Sequence, residues 1–412
     1  IYDERDGTAY PRHDFCLLYA NQYVESEDGK KKRPLGEAWT SHPLRRGYRQ
    51  TIFDPAATPD PDVYNRYKGF AFDPAPGDWS LLRKHILNVI CSGNAKYCDY
   101  LLDWLARGVQ LPGERAEVAI VLRGAQGTGK GIFVNAYSKL FAPHAYHASS
   151  SIEITGRFSG HIKDVLFVFM DEAFFAGDKS HVGTLKRIIT EPTIPIEEKF
   201  KQRINVRNRL KVIIASNEGW VIPAGLKERR FFVLDVSAVK QQQTKYFAAL
   251  MKQMKSGGYE ALLYDLLERD IDGFDFRTCP RTDALADQQL ASMTPVESYW
   301  HGVLEDGVLP FAKSRTKFDS VTPVDWGLVR KQSLYNDFID GQRKRGQTHL
   351  PGIAQFASEL GRLLPDGYPK THRIRSKKGR TYTWEFPSLE VCQMHFAAVR
   401  GGPPQKRISR KK

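Results

Sequence analysis

Four short runs of apolar residues stand out in the middle of the chain. The runs are 118–122, 165–170, 210–215 and 231–234, and nearly every position in them is apolar. A strand that is covered on both faces of a parallel sheet has this pattern, whereas a strand with one wet face alternates. The pattern therefore predicts an α/β fold built on a buried parallel sheet.

Helical periodicity flanks these runs. Between residues 79 and 108, apolar side chains recur three or four positions apart in two groups, and residues 248–269 repeat the pattern. Side chains at that spacing share one face of a helix. We expect a small helical subdomain before the sheet and a helical lid or linker after it.

A further periodic region lies near the carboxyl end. Residues 333–343 and 350–364 have helical spacing, and 373–375 and 381–384 alternate around a glycine-containing turn at 376–380. Two helices followed by a hairpin predict a winged-helix-like module. Its wing would present Lys377, Lys378 and Arg380 to DNA phosphates, although modules of this shape also dock proteins.

These patterns divide the chain into five predicted parts. They are an N-terminal accessory and helical subdomain (1–110), a core that holds the parallel sheet (111–240), a helical lid or linker (241–300), a winged-helix-like domain (301–400) and a basic tail (401–412). A chain of 412 residues exceeds the size of one hydrophobic core, so several domains are expected.

The first apolar run leads into the sequence GAQGTGK, residues 124–130. Glycines at such a turn let backbone N–H groups wrap a phosphate, the following helix directs its positive end at the anion, and the lysine reaches the β and γ oxygens. A glycine-rich turn without a ligand is the alternative for the loop taken alone. We predict an ATP site formed by Gly124, Gln126, Gly127, Thr128, Gly129, Lys130 and Gly131.

One position departs from the phosphate-loop pattern. The motif ordinarily continues with a Ser or Thr whose hydroxyl binds Mg²⁺, but residue 131 is glycine. Either the metal is held by phosphates, water and an acidic residue elsewhere, or nucleotide binding is weaker than in the usual site.

Polar residues follow the next two apolar runs. Asp171 and Glu172 end the second run, and Asn217 follows the third. Open α/β sheets bind ligands at the carboxyl ends of their strands. We therefore predict that Asp171 binds Mg²⁺, that Glu172 polarises the attacking water and that Asn217 orients this water or the γ-phosphate. An acidic turn and a turn-forming asparagine are the structural alternatives.

Two arginines, Arg229 and Arg230, precede the fourth run. An arginine can stabilise charge on a transferring phosphoryl group, and in ring assemblies it often comes from the neighbouring subunit. We predict this role for one of the two. A solvated basic turn is the alternative.

Together these motifs resemble the superfamily 3 helicases of the AAA+ class, and especially the phage and plasmid primase-helicases. The resemblance rests on GAQGTGK, the strand ending in Asp171 and Glu172, Ser216 with Asn217, and RRFFVLDV from Arg229; it extends upstream into YNRYKGFAFDP and LLDWLARGVQLPG. It implies an AAA+ phosphate-loop ATPase core. It also implies a homo-oligomeric ring, a hexamer, that acts on single-stranded DNA, with a primase-polymerase domain upstream.

In that family a hairpin between the acidic strand and the asparagine strand lines the central channel. Here Ile194 and Ile196 alternate before a charged tip, and a basic arm returns. Alternating arms around a polar tip predict a hairpin. The resemblance implies that Lys199, Phe200 and Lys201 contact DNA, the lysines at phosphates and the ring on a base or sugar. A charged surface hairpin with no ligand is the alternative.

Composition agrees with a nucleic-acid partner. The net charge is +14, and residues 367–412 hold 12 Lys and Arg against 2 Asp and Glu. The 5 cysteines have no metal-ligand spacing, which is typical of a reducing compartment without a zinc site or disulfide framework. No apolar run approaches the ~20 residues of a membrane helix, so we expect the cytoplasm, that of the host cell if a phage encodes the chain. The start at Ile1 followed by a polar run is typical of a fragment.

The sequence thus predicts an ATP-driven DNA helicase or translocase that uses ATP and Mg²⁺. Two other classes stay open. One is a replication-initiator ATPase that binds DNA without unwinding it. The other is a structural ring that tethers a polymerase, in which Gly131 weakens catalysis.

Overall fold

The computed structural model describes residues 1–4, 7–25, 31–171, 179–199, 202–225, 228–310, 326, 328–347, 350–376 and 379–400. Backbone contacts divide the chain into two compact units, Ile1–Lys68 and Gly69–Lys412. The predicted domain boundaries within the second unit stay predictions. Among the described helices, none is long and apolar enough to cross a membrane.

The first unit consists of short elements. In chain order they are β1 (Tyr2–Asp3), β2 (Thr8–Ala9), α1 (Arg12–Leu18), β3 (Tyr23–Glu25), β4 (Lys32–Pro34), α2 (Leu35–Ser41), β5 (Gln50–Ile52) and β6 (Val63–Asn65). The strands pair as β1 with β2, β3 with β4, and β5 with β6. Sequence periodicity did not indicate these elements because none exceeds 7 residues, which is too short for a period to be measured.

The predicted helical pair opens the second unit. Helix α3 (Ser80–His85) continues through a π-helical turn (Ile86–Ile90), and α4 (Ala95–Gln110) follows. The side chain of Asn94 caps α4 by accepting the Tyr97 N–H at 3.2 Å. Leu101, Trp104 and Leu105 form the buried face of α4, as their spacing predicts.

Alternating strands and helices then build a parallel sheet. In chain order they are β7 (Ala119–Arg123), α5 (Lys130–Leu140), β8 (Ala145–Ala148), α6 (Ser151–Thr155), β9 (Phe167–Asp171), α7 (Lys179–Thr190), β10 (Thr193–Ile196), β11 (Ile204–Arg207), β12 (Lys211–Ser216) and β13 (Phe231–Asp235). Five of the strands form one sheet in the order β13-β7-β12-β9-β8. All its pairings are parallel, which confirms the mixed α/β prediction.

The two faces of this sheet are covered by different helices. Val168 and Met170 of β9 pack in one hydrophobic cluster with Leu185 of α7. Phe167 points to the other face, where its ring lies 5.2 Å from that of Tyr137 of α5. Because side chains alternate along a strand, every second residue of β9 from Phe167 onward faces α5.

Three helices follow the sheet: α8 (Thr244–Gln253), α9 (Tyr259–Glu268) and α10 (Asp283–Ala291). The sequence predicted helix over 248–269, and α8 and α9 cover most of that range. The helix breaks between α8 and α9, where Gly257 has a φ of 91°. Glycine adopts this left-handed conformation without steric cost, so Gly257 allows the break within the π-helical turn, Met254–Gly258, that joins α8 to α9.

The carboxyl-terminal part has its own core. Its elements are α11 (Pro295–Asp306), β14 (Leu328–Arg330), α12 (Lys331–Lys344), α13 (Ile353–Gly361), β15 (Lys370–Ser376), β16 (Gly379–Glu385) and α14 (Leu389–Arg400). The strands form an antiparallel sheet in the order β14-β16-β15. Trp300, Phe338, Phe356 and Trp384 are buried together between the helices and this sheet.

The hairpin of this part is tighter than the sequence predicted. Ser376 pairs directly with Gly379, so only residues 377 and 378 connect the strands. Gly379 and Arg380 were expected in the turn but belong to β16. A two-residue connection matches the twist of antiparallel strands, which explains the longer ladder.

Candidate functional site

The carboxyl ends of three neighbouring strands meet at one edge of the parallel sheet. Ser216 of β12 lies opposite Arg123 of β7, and Ala215 lies opposite Asp171 of β9. The loop that follows β7, the Asp171 carboxylate and the residue after Ser216 therefore emerge side by side. This is the edge at which open α/β sheets bind ligands.

The loop at 124–129 has a conformation that depends on glycine. The φ angles are 78° at Gly127 and 94° at Gly129, in the left-handed region. A Cβ at Gly129 would lie 2.6 Å from ring atoms of both His85 and Phe247. Thr128 is buried, and its hydroxyl donates to the Ala125 carbonyl at 3.0 Å, which closes the turn.

Lys130, the first residue of α5, is held at the mouth of this loop. Its ammonium donates to the carbonyls of Gly124 at 2.5 Å and Ala125 at 2.9 Å, and to Asn217 Oδ1 at 2.9 Å. The residue is only 7% exposed. The structure thus brings the predicted lysine and the predicted asparagine into direct contact.

Residues 241–242, in the segment after β13, form a strap that holds the outer side of the loop. Gln241 Nε2 donates to the Gln126 carbonyl at 2.8 Å, and the Gln242 N–H donates to the Gly127 carbonyl at 3.0 Å. Sequence reasoning missed this strap because glutamines in a connecting segment carry no distinctive pattern. Its consequence is that the loop is supported from both sides.

Asp171 lies on the face of the sheet that α5 covers, since it follows Phe167 and Phe169 at alternate positions. Its Oδ2 is 3.8 Å from His147 Nε2, and the His147 ring stacks on Phe169 at 4.7 Å. The side chain of Asp171 is 46% exposed, so its carboxylate is accessible to an ion. Glu172, the predicted water-polarising residue, lies outside the described residues.

The residues at this edge fit a Mg²⁺ ion only in part. Mg²⁺ prefers oxygen ligands and usually takes one or two carboxylates plus substrate phosphates. Asp171 supplies such a carboxylate, whereas Gly131 supplies no side-chain oxygen. In the part of the chain that the structure describes, no group of three or more His, Cys, Asp and Glu side chains could hold a metal ion. A metal at this edge would therefore depend on the phosphates of a nucleotide.

Packing does not force the glycine at position 131. A Cβ placed there would have Asn135 Nδ2, at 4.0 Å, as its nearest non-local neighbour. A serine side chain therefore has room. The fold around position 131 would therefore accept a residue that carries a hydroxyl.

Arg123 anchors the strand that leads into the loop, and sequence reasoning did not single it out. Its guanidinium donates to both oxygens of Asp235, at 2.5 and 2.7 Å, and to Asp287 at 2.8 Å. Arg123 and Asp235 end adjacent parallel strands in register. Two charged residues at the ends of apolar runs were the signal that could have indicated this pair.

His85 is fully buried behind the loop and was also missed. Its Nε2 lies 3.4 Å from the Gly129 carbonyl oxygen, and its Nδ1 lies 3.1 Å from the Tyr246 hydroxyl. Burial lowers the pKa of His85 to about 4 against the opposing effect of the Gly129 carbonyl, so the ring is neutral at neutral pH.

The two predicted arginines have different environments. Arg230 folds back onto Glu228, with Nη1 3.2 Å from Oε1, and Lys186 Nζ binds the other oxygen at 2.7 Å. Burial by itself raises the pKa of Glu228, but the hydrogen bond from Lys186 and the nearby cations lower it further than burial raises it. Arg229 is exposed, and among the described residues its side chain has no ion pair.

Both arginines lie at the far edge of the sheet from Lys130. They precede β13 at its amino end, whereas Lys130 follows β7 at its carboxyl end. The 5 residues of β13 span roughly 16 Å at ~3.3 Å per residue. The backbone of Arg229 therefore lies at the opposite edge of the sheet from the loop of its own chain.

The predicted hairpin is present as β10 and β11, with Ile194 opposite Val206. Buried Ile194 and Ile196 anchor it. After β10, Glu197 pairs with Arg157 at 2.7 Å and Glu198 pairs with Lys163 at 3.3 Å. These two acidic residues lie in the connection between the strands and are tied to the segment 157–163.

The remaining predicted DNA contacts fall at the tip and beyond. Lys199 is exposed at the first position after the two glutamates. Phe200 and Lys201 lie outside the described residues. Beside the tip, Phe158 is 55% exposed, which the sequence did not predict because an isolated aromatic residue in a loop carries no periodic signal.

The predicted wing of the carboxyl-terminal part is described only in its strands. Lys377 and Lys378 lie outside the described residues, and Arg380 pairs with Arg375 in the β15–β16 ladder. On β15, Lys370 and Arg373 are exposed. The strand β15 therefore presents positively charged side chains to solvent.

Sequence comparison links the site to two groups of proteins. The model of a family of unknown function, DUF5906, matches residues 122–230. A DNA primase-polymerase of the Nitratiruptor phage NrS-1 is 29% identical over 163 residues, which cover 39% of this chain and 23% of that protein. The match therefore spans less than a quarter of the length of the phage protein.

Structure comparison covers more of the chain. Two apo structures of the NrS-1 C-terminal region match with TM-scores of 0.60 and 0.63, at 18% and 17% identity. Each match covers 82% of this chain, and 84% and 85% of the respective NrS-1 chains. This likeness shows that the mixed α/β fold with its parallel sheet is shared with that region.

Proposed function

We propose that this chain is an ATP-driven DNA translocase of the superfamily 3 AAA+ type that acts in phage or plasmid DNA replication. The observation that carries the proposal is the convergence of Lys130, Asn217 and Asp171 at the carboxyl edge of one parallel sheet. The similarity to a DNA primase-polymerase supports the replication context. A net charge of +14 supports a nucleic-acid partner.

ATP would bind with its phosphates on the loop 124–130. The backbone N–H groups at the start of α5 and the Lys130 ammonium are donors for the β and γ oxygens. Mg²⁺ would be held by these phosphates and Asp171, and it would neutralise phosphate charge. Asn217 and Glu172 would orient the attacking water.

A ring, and by resemblance a hexamer, accounts for the position of Arg229. Its side chain is exposed, and its backbone lies at the opposite edge of the sheet from the loop of its own chain, so it would complete the site of the neighbouring subunit. Arg230 would instead keep Glu228 and the start of β13 in place. The proposal thus divides the two arginines between catalysis and support.

Single-stranded DNA would pass the hairpin tip in the ring's channel. Lys199 and Lys201 would bind phosphates, and Phe200 would pack on a base or sugar. The exposed ring of Phe158 lies on the segment that is tied to the hairpin by two ion pairs, and it would add a second stacking surface. Hydrolysis would shift these loops along the strand.

The carboxyl-terminal part would be a second DNA contact. Its order of helix, strand, two helices and a strand pair is that of a winged-helix module. Lys370 and Arg373, together with Lys377, Lys378 and Arg380 at the wing, supply cations for phosphates. A primase-polymerase domain would lie upstream of this chain in the complete polypeptide.

The proposal is tested by ATP turnover with and without single-stranded DNA, and by displacement of a strand from duplexes carrying a 3′ or a 5′ tail. We expect DNA to stimulate turnover and one tail polarity to support displacement. Lys130→Ala is the matched negative control. Turnover that ignores DNA, together with no displacement from either substrate, would contradict a motor.

Gly131 favours one other function, a nucleotide-binding ring that tethers a polymerase with little hydrolysis. The loop and Lys130 suffice to bind phosphates, whereas the residue that would supply a metal-binding hydroxyl is absent. Such a ring would bind ATP and assemble without measurable turnover. Nucleotide binding by equilibrium dialysis, measured beside turnover, separates the two functions.

A further inference from the structure

His85 connects three elements that meet behind the phosphate loop. It is the last residue of α3, it has no exposed surface, and both ring nitrogens have partners. One partner is the Gly129 carbonyl at 3.4 Å, and the other is the hydroxyl of Tyr246 on α8 at 3.1 Å. The ring thus bridges the loop and a helix beyond the sheet.

The chemistry of the partners fixes the tautomer of this histidine. A carbonyl oxygen can only accept, so the Nε2–H of His85 donates to Gly129. The neutral ring then has a lone pair at Nδ1, and the Tyr246 hydroxyl donates to it. The chain of donors therefore has one direction, from Tyr246 through His85 to the loop.

Gly129 is the point at which this chain enters the proposed nucleotide site. Its carbonyl also accepts the Phe133 N–H at 3.2 Å, in the first turn of α5. A side chain at position 129 is excluded because His85 and Phe247 already occupy the space, at 2.6 Å from a Cβ. Any rotation of the Gly129 peptide on phosphate binding therefore changes both contacts of its carbonyl.

We infer that His85 is a positioning residue that couples nucleotide occupancy of the 124–130 loop to helix α8. The inference rests on the proposed nucleotide binding. Phosphate draws the loop N–H groups toward itself, and the Gly129 carbonyl on the other side of these peptides moves with them. The directed hydrogen bonds of His85 transmit this movement to Tyr246 and so to α8. The geometry of the bridge changes, and no proton leaves the ring.

The test is hydrogen exchange of the α8 amides in the full chain, with and without the β,γ-imido analogue of ATP. Tyr246→Phe removes the hydroxyl and keeps the ring beside Phe247, whose centroid is 5.2 Å away. Tyr259→Phe is the matched control. It removes a hydroxyl on the neighbouring helix α9, one that accepts a hydrogen bond from Lys139 of α5. Thermal melting checks that both variants fold.

In the wild type we expect the analogue to slow exchange in α8 by about fivefold, the amount one hydrogen bond contributes. Tyr246→Phe should bind the analogue within about threefold of the wild type and lose the protection, since the effect of one such bond is small. Tyr259→Phe should keep the protection. Tyr246→Phe is a conservative change, so it separates the coupling from an effect on folding. If His85 had only a structural role, the effect of the analogue on α8 exchange would be the same in this variant as in the wild type.

Two failures are distinguishable. If the wild type does not bind the analogue, the proposed nucleotide function is wrong and the coupling is wrong with it. If the wild type binds but α8 is not protected, or Tyr246→Phe is protected as fully as the wild type, the coupling is overturned and the proposed function stands.

Discussion

The ammonium of Lys130 lies 2.9 Å from Oδ1 of Asn217, although 87 positions separate the two residues in the chain. The contact exists because β7 and β12 are neighbours in the sheet and end at the same level. In the proposed function, this lysine exchanges some of its present acceptors for phosphate oxygens when ATP binds. We therefore expect a change at Asn217 to affect the site both without nucleotide and with nucleotide bound.

Lys130→Ala should abolish ATP turnover, a loss of at least about 100-fold, because the loop loses the ammonium that binds the β and γ oxygens. The measurement is phosphate release over time. Lys84→Ala, which removes an exposed lysine of α3, is the control and should turn over ATP normally. Wild-type turnover in the Lys130 variant would show that the site is misassigned.

Asn217→Asp should reduce turnover at least about tenfold, since a carboxylate would hold the Lys130 ammonium more tightly and repel the γ-phosphate. Asn217→Ala should reduce it as well, but by loss of water positioning. The two variants are distinguished by nucleotide affinity, which should weaken more in the aspartate variant. Equal affinities in both would contradict the role of charge at this position.

Gly131→Ser should lower the Mg²⁺ concentration required for half-maximal nucleotide binding or turnover. The serine fits, because the nearest non-local atom to its Cβ is 4.0 Å away, and its hydroxyl is the ligand that the loop lacks. A Mg²⁺ titration measures the effect. Gly131→Ala is the matched variant, and an equal shift with alanine would mean that the hydroxyl is not responsible.

Arg229→Ala should reduce turnover by about a thousandfold, as for an arginine that completes a phosphoryl-transfer site. A mixture of Arg229→Ala and Lys130→Ala subunits should regain activity, because some interfaces then combine an intact loop with an intact arginine. Arg230→Ala should instead lower the melting temperature, since it removes one partner of buried Glu228. Failure of the mixture to regain any turnover would place Arg229 outside the neighbouring site.

Stability should fall with acidification because of His85. Its folded pKa, lowered to about 4, lies below the ordinary 6.5, so the unfolded chain binds the proton first as pH falls. The stability is present above about pH 6.5 and is lost toward pH 4, about 2 kcal/mol of it between pH 7 and pH 5. Denaturant titrations at the two pH values measure it. His85→Gln should flatten the dependence, while His13→Gln, at an exposed histidine, should leave it unchanged.

The sequence predicted the sheet well because its strands are buried on both faces. A continuous apolar run such as 165–170 does not fit a strand with one face in solvent, because the residues of such a strand alternate between apolar and polar. Four of the five strands in the sheet were predicted in this way. The edge strand β8 was missed because Ala145–Ala148 contains His147 and Tyr146, which are partly exposed and break the apolar pattern.

The candidate site was predictable to the extent that it consists of local motifs. The loop glycines, Lys130 and the residues at strand ends follow from sequence order alone. His85 and Gln241 act through partners more than 40 positions away, which no local pattern can indicate. The pair of Arg123 and Asp235 is equally distant in sequence, and its only signal was a charged residue at the end of each of two apolar runs. The ion pairs of Glu197 and Glu198 were missed because their partners Arg157 and Lys163 lie 40 and 35 positions upstream.

The ion pairs of Glu197 and Glu198 lie just beyond the end of β10 and link the hairpin to another segment of the chain. They brace the β10–β11 arm against residues 157–163, and the chain runs from there through a 3₁₀ turn, Gly160–Ile162, directly into β9. The far end of β10 is therefore tied to the segment that leads into the strand carrying Asp171. Replacing Glu197 or Glu198 with alanine should loosen this tie and leave the tip of the hairpin less firmly held.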